Sequence, residues 1–93
     1  MRVQIEKVKT KGSDDGLFPV GFKVSGSLVD QDGLEIENPL LIPKGGVFLR
    51  TEQTVFGSFP YQFATDTVLA VRKTRPGVYA IETVSAVWTL MTI

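Results

Sequence analysis

The side chains that most often carry out chemistry near neutral pH are missing, because the 93 residues include no His and no Cys. Histidine is the usual proton carrier and a common metal ligand, and cysteine supplies thiolate nucleophiles, zinc ligands and disulfides. A serine or threonine nucleophile would need a lysine or a carboxylate as its base. No G-x-S-x-G, S-x-x-K or phosphate-binding glycine loop is present. The sequence therefore predicts a protein that is not an enzyme and has no cofactor.

Two groups of carboxylates could in principle bind a hard cation, Asp14-Asp15 and Asp30-x-Asp32-Gly33. A calcium loop needs further oxygen ligands at fixed offsets, including a closing carboxylate. Glu35 and Glu37 lie nearby, but the full EF-hand pattern is absent. Asp, Gly and Ser are also the ordinary residues of turns. We interpret both groups as turns and the other acids as solvated surface residues, and we expect no metal site.

The aromatic residues are the more suggestive set. Phe48 and Arg50 share a strand face opposite the apolar Val47 and Leu49. Aromatic rings beside Arg or Lys on a β face are how OB-like and RNA-recognition domains stack single-stranded bases. The candidate binding or interface residues are Phe48, Arg50, Phe56, Phe59, Tyr61 and Phe63, and Arg72, Lys73 and Arg75 could contact phosphates.

Charge and motif content favour a different use of these rings. Ten basic residues balance ten acidic ones, so the chain lacks the general attraction for phosphate that nucleic-acid binders use. No RNP1-like sequence is present, and no more than two basic residues are adjacent. The favoured hypothesis is that the rings form core or a subunit interface. Binding of single-stranded nucleic acid or a small ligand is the alternative.

Apolar and polar residues alternate with a period of two along much of the chain, which is the pattern of half-buried antiparallel strands. Asp32-Gly33 and Pro76-Gly77 are typical of tight turns, each with its glycine at positive φ. Residues 66–73 allow a strand or a short helix, and β-branched Thr67, Val68 and Val71 favour the strand. The remaining predicted strands are residues 2–9, 18–28, 47–52, 59–65 and 78–93.

The last of these strands is too long to be straight. Sixteen residues at about 3.3 Å each would extend roughly 50 Å, whereas a compact domain of this length has a radius of gyration of about 12 Å. Tyr79 and Ile81 are apolar on the odd face, whereas the even face carries Val84, Ala86, Trp88 and Leu90. Of these residues, Trp88 is the one that we most expect to be buried. We therefore expect a bend near Glu82-Thr83, where the buried face changes.

These patterns predict an all-β fold with one domain over residues 1–93: a small antiparallel β-barrel or two-sheet sandwich of five to six strands, meander-like, with a long bent C-terminal strand. No signal peptide or membrane span is evident, so a soluble, cytoplasmic protein without a membrane partner is expected. The large apolar side chains exceed the needs of one small core. We therefore expect a structural or protein-interaction module that forms homo-oligomers. This surplus comprises Phe48, Phe56, Phe59, Tyr61, Phe63, Trp88, Met91 and Ile93.

Overall fold

The computed structural model describes residues 1–11, 18–51 and 62–93. Over these ranges seven strands pair into one antiparallel sheet, in the order β4-β3-β2-β1-β7-β6-β5. A short 3₁₀ turn, Pro39–Leu41, precedes β3. The all-β antiparallel prediction is confirmed, although the strands number seven rather than five or six. The strands are β1 Arg2–Thr10, β2 Lys23–Val29, β3 Phe48–Arg50, β4 Gln62–Ala64, β5 Val68–Arg75, β6 Val78–Thr83 and β7 Ala86–Thr92.

The two outer strands, β4 and β5, are consecutive in the chain although they lie at opposite edges of the sheet. Four Cα–Cα steps join Ala64 to Val68 and span about 14 Å at most, so the sheet must curl to bring its edges together. At this seam the Val68 amide donates to the carbonyl of Lys44 at 2.8 Å. No ladder joins β4 to β5. The fold is thus one curled, open sheet, neither the closed barrel nor the two-sheet sandwich that we expected.

The concave side of the sheet holds the core, as strict alternation along each strand requires. In β1, Val3 and Ile5 are fully buried, and in β7, Trp88 and Leu90 are buried on the same side of the sheet. Leu28, Leu49 and Ile81 extend the same layer across the neighbouring strands. The prediction that Trp88 is buried is confirmed.

The second predicted strand, residues 18–28, is shorter in the structure, because β2 begins at Lys23. Proline has no amide proton for a ladder, and Gly21 adopts a φ of +93°, so residues 18–22 form a turn instead. Farther along, a Cβ on Gly26 would lie 2.6 Å from the carbonyl oxygen of Arg50. The backbones of β2 and β3 therefore approach closely at Gly26, where only glycine fits without a shift.

The predicted long strand over residues 78–93 is instead a hairpin of β6 and β7. Ile81 pairs with Trp88 across the hairpin. Paired residues lie on the same face of the sheet. Because Ile81 is odd-numbered and Trp88 is even-numbered, the buried residues are odd-numbered in β6 and even-numbered in β7. The predicted change of the buried face near Glu82-Thr83 is present, but a reversal of the chain causes it. Val84, predicted on the buried face, lies in the turn and is 57% exposed.

Of the segment 66–73, for which a strand was favoured over a short helix, residues 68–73 are strand, because β5 begins at Val68. Residues 59–61 of the strand predicted at 59–65 lie outside the described residues, and β4 occupies Gln62–Ala64. Gly33 and Gly77 have φ values of +84° and +78°, which confirms both predicted glycine turns. No helix in the described ranges has the length and hydropathy to cross a bilayer.

Candidate interaction surface

Phe48 and Arg50 project from the same face of β3, as predicted. Leu49 between them is fully buried, Phe48 is half-buried and Arg50 is exposed, so both project from the convex side of β3. The Arg50 guanidinium donates to the carbonyl oxygen of Gly33 at 2.8 Å. This bond ties the turn after β2 to β3, so Arg50 has a structural role in this fold.

Phe63 lies on the opposite, concave side, paired with Leu49. Its ring is 2% exposed, and its centroid is 5.6 Å from the ring of Trp88 and 5.9 Å from that of Phe22. The ring of Phe18 completes this group, which we term the aromatic cluster, at 5.2 Å from Phe63. The sheet therefore separates Phe63 from Phe48 and Arg50. The other three candidates, Phe56, Phe59 and Tyr61, lie outside the described residues.

Three exposed leucines lie instead on the 3₁₀ turn and on β5. The 3₁₀ turn packs against β5, and Leu40 and Leu41 on the turn are 51% and 71% exposed. Leu69 on β5 is 55% exposed. We call these three residues the leucine patch. Pro39 and Ile42, on either side of the two turn leucines, are buried and anchor the turn. Asn38 caps it by accepting from the Leu40 amide at 3.0 Å.

Leu69 of the leucine patch belongs to β5, and among the described residues no strand pairs with the far side of β5. We call the three cations of β5 the basic edge; they are Arg72, Lys73 and Arg75. All three are exposed, and no Asp or Glu occurs between residues 68 and 75. No ion pair within the described ranges involves them. The register with β6 is irregular at Leu69 and Thr74. Bulges and cations protect an edge strand against indiscriminate pairing, so this edge would accept only a partner of suitable charge.

The acidic segment, residues 30–37, carries four carboxylates and no cation. Glu35 accepts a hydrogen bond from the Met1 ammonium at 2.9 Å, which lowers the pKa of this carboxyl below its ordinary value of 4.5. Glu37 also pairs with the Met1 ammonium group, at 3.2 Å. Along the chain, the acidic segment ends just before the 3₁₀ turn.

An open depression of about 300 Å³ lies on the convex side of β5 and β6. Its small side chains, Ala70 and Ala80, leave room for a side chain of a partner, while Arg72 and Glu82 supply charges of opposite sign at its border. Together with Ile81 and Val87 they form the lining. In the described ranges, the acidic residues do not gather in a group able to hold a metal ion.

Sequence reasoning missed a buried cation, Lys7. It follows Val3 and Ile5 on the buried face of β1 and is 5% exposed. Its Nζ donates to the carbonyl oxygen of Phe18 at 2.6 Å. The signal was in the period-two pattern, which places a lysine where the alternation calls for an apolar residue.

Comparison with known proteins adds no assignment: no protein-family model, curated protein or solved structure matches this chain.

Proposed function

We propose that this protein is a non-enzymatic structural or protein-interaction module that self-associates through the leucine patch and the basic edge. The observation that supports this most is a set of three leucines, each more than half exposed, on the edge strand β5 and on the 3₁₀ turn close to it. Contiguous apolar surface on a small domain commonly marks a site of association. The seam is also where the sheet leaves its backbone edge open.

Charge determines how two copies would meet. Direct pairing of two β5 strands would bring six cations together along one ladder, and opposed like charges destabilise a sheet. The acidic segment of a second copy has the complementary charge. We therefore favour a two-fold dimer with leucine patches at its centre and the basic edge of each copy against the acidic segment of the other. A two-fold interface uses the same patch on both copies and closes on itself.

The test is the mass in solution. Light scattering at micromolar concentration should give at least twice the chain mass of 10.2 kDa. Leu41→Asp places a charge at the centre of the interface and should shift the protein to a monomer. Val8→Asp is the control, because Val8 is 48% exposed on β1 and lies outside the leucine patch, the basic edge and the acidic segment. A monomeric wild-type protein, or equal dissociation by both variants, would contradict the proposal.

A second variant tests the electrostatic part. Arg72→Glu removes a cation of the basic edge and should weaken the dimer, most strongly at low salt, since exposed charges are screened within about 10 Å at 0.1 M salt. Lys9→Glu, an exposed cation on β1 away from the seam, is the control. If both variants changed the dimer equally, the basic edge would have no specific part in association.

A further inference from the structure

Lys7 is a buried cation with a single hydrogen-bond acceptor for its ammonium group among the described residues. Within the described residues its ammonium group meets one acceptor, the neutral carbonyl oxygen of Phe18, and no carboxylate. An ammonium group carries three protons to donate. Removing such a charge from water is costly unless it is paired and fully hydrogen-bonded. The site therefore has donor capacity and positive charge in excess of its acceptors.

Trp88 supplies a second buried donor. The side chain is 3% exposed, and in the part of the chain that the structure describes its indole Nε1 has no hydrogen-bond partner. Buried indole N–H groups usually have an acceptor, since an unpaired one costs about 1–3 kcal/mol. Trp88 is therefore a second buried group with a hydrogen-bond donor that lacks an acceptor among the described residues, and this observation does not depend on Lys7.

The fold places these two donors together. Lys7 and Trp88 are register partners on β1 and β7, so their side chains leave the same face of the sheet. The register shifts immediately after Lys7, and such bulges often lie beside functional sites. The aromatic cluster borders Trp88, with ring centroids of Phe18 and Phe63 at 6.3 and 5.6 Å from that of Trp88, and the backbone carbonyl of Phe18 accepts from Lys7.

We propose that Lys7 and Trp88 form a binding site for a small organic carboxylate with a flat apolar body. The carboxylate oxygens accept from the Lys7 ammonium and the Trp88 indole N–H, and the body of the ligand packs against the aromatic cluster. A carboxylate supplies what the site lacks, a negative charge and several lone pairs. A neutral ligand would leave the charge of Lys7 uncompensated.

Access to the site is through the Phe18–Phe22 segment, which lies outside the sheet ladder and covers Lys7. Three hydrogen bonds hold it there: Lys7 N to Phe22 O at 2.9 Å, Gly21 N to Lys7 O at 2.8 Å, and the Lys7 side chain to Phe18 O at 2.6 Å. The last of these is the bond that an arriving carboxylate would replace. Phe18 and Phe22 are only partly buried, so they can rotate with less disruption than the core rings.

The experiment uses the single tryptophan as its own reporter. Phenylacetate is titrated into ¹⁵N-labelled protein while the Trp88 indole resonance is followed by NMR, with Trp88 fluorescence as a second readout. We expect a saturable shift of the indole resonance, because its N–H gains an acceptor. Phenylacetamide, which lacks the charge, and acetate, which lacks the ring, should each bind at least tenfold more weakly. An unmoved indole resonance at millimolar phenylacetate, or equal binding of phenylacetamide, would overturn the proposal.

Two lysine variants separate recognition from structure. Lys7→Met keeps the length of the side chain and removes a buried charge, a change that proteins often tolerate well. It should weaken phenylacetate binding roughly 10- to 100-fold, the range for loss of a hydrogen bond to a charged group. Lys9→Met, two residues along the same strand and exposed, should bind as the wild type does. Full binding by folded Lys7→Met protein would show that Lys7 only anchors the Phe18–Phe22 segment.

Discussion

The hydroxyl of Thr83 bridges the turn between β6 and β7 by bonding both backbone groups of Ala86. It accepts from the Ala86 amide at 3.1 Å and donates to the Ala86 carbonyl at 3.2 Å. Both residues are buried. The turn residues themselves bond to the start of β5, through Val84 N to Thr67 O at 3.0 Å and Ser85 N to Asp66 Oδ2 at 2.9 Å. Side-chain and tertiary bonds therefore hold a turn that contains no glycine or proline.

Thr83→Val tests this bridge, because valine has nearly the same shape and cannot form either bond. Leaving a buried donor and acceptor unpaired should lower the free energy of unfolding by about 1–3 kcal/mol. Thr89→Val is the control, since Thr89 lies on the convex face of β7, and it should change stability by no more than about 0.5 kcal/mol. Urea unfolding of both variants measures the difference. Equal stability of the two would show that the bridge contributes nothing.

Lys11 connects the end of β1 to this same turn. Its Nζ lies 2.6 Å from Glu82 Oε2 and 3.0 Å from the carbonyl oxygen of Thr83. The hydrogen bond, reinforced by charge attraction, lowers the pKa of Glu82 below its ordinary value of 4.5. A lowered folded-state pKa means that the stabilisation is present above the unfolded-state pKa and is lost as the pH falls through the folded-state pKa.

An NMR titration of the Glu82 side-chain carboxyl should therefore give a midpoint below 4.5. Lys11→Met should return the midpoint to the ordinary value, because it removes both the hydrogen bond and the charge. Lys9→Met, on the same strand, should leave it unchanged. A Glu82 midpoint that Lys11→Met does not move would contradict the ion pair.

Gly33 and Gly77 adopt the left-handed region, with φ values of +84° and +78°. A Cβ is strained there, so Gly33→Ala and Gly77→Ala should each lower the free energy of unfolding by about 1 kcal/mol or more. Asparagine tolerates this region better than other non-glycine residues, so Gly77→Asn should cost less than Gly77→Ala. Chemical denaturation of the variants provides the comparison. Alanine variants as stable as the wild type would mean that these turns can relax to negative φ.

The stacking alternative also yields a prediction. Of its described rings, Phe63 is buried and Phe48 is half-buried, and Arg50 is bonded to Gly33. With a formal net charge of zero, the protein should show no measurable binding to mixed-sequence single-stranded oligonucleotides near physiological salt. Fluorescence anisotropy tests this. Micromolar binding that falls steeply with salt and is lost in Phe48→Ala would instead favour a nucleic-acid function.

The alternation pattern predicted much of the fold because each strand has one buried face. It correctly placed Trp88 inside, but it joined β6 and β7 into one strand. The turn at Val84-Ser85 has no glycine, proline or asparagine, and two of the bonds that hold it, in addition to the Thr83 bridge, come from Thr67 and Asp66, which are distant in sequence. The local sequence therefore predicts the change of the buried face but not the chain reversal between β6 and β7 that causes it.

The candidate surface was less predictable. The alternation pattern placed Phe48 and Arg50 on one face of a strand. Phe63 belongs to a different strand, and its register with Leu49 determines on which side of the sheet its ring lies. The leucine patch depends on the curl of the sheet, which brings Leu69 beside a turn some thirty residues earlier in the chain. Lys7 was the one feature visible in the pattern itself, as a charge at a buried position of β1.

Trp88 gives the last prediction, because its ring and its N–H group have opposite effects on stability. The ring contacts Phe18 and Phe63 edge-on within the core, so Trp88→Ala should cost about 3–5 kcal/mol. Within the described residues the N–H has no acceptor. Trp88→Phe keeps an aromatic ring and removes that group, so it should recover most of the loss.

Two measurements check this account. Because Trp88 is 3% exposed in a single chain, its emission should be blue-shifted at every protein concentration and should not change as oligomers dissociate. A shift to the red on dilution would place it in a subunit interface instead. Urea unfolding then compares the two variants without added ligand. If Trp88→Phe were as destabilising as Trp88→Ala, the indole N–H would have to be bonded in the folded protein, and the carboxylate site would lose one of its two donors.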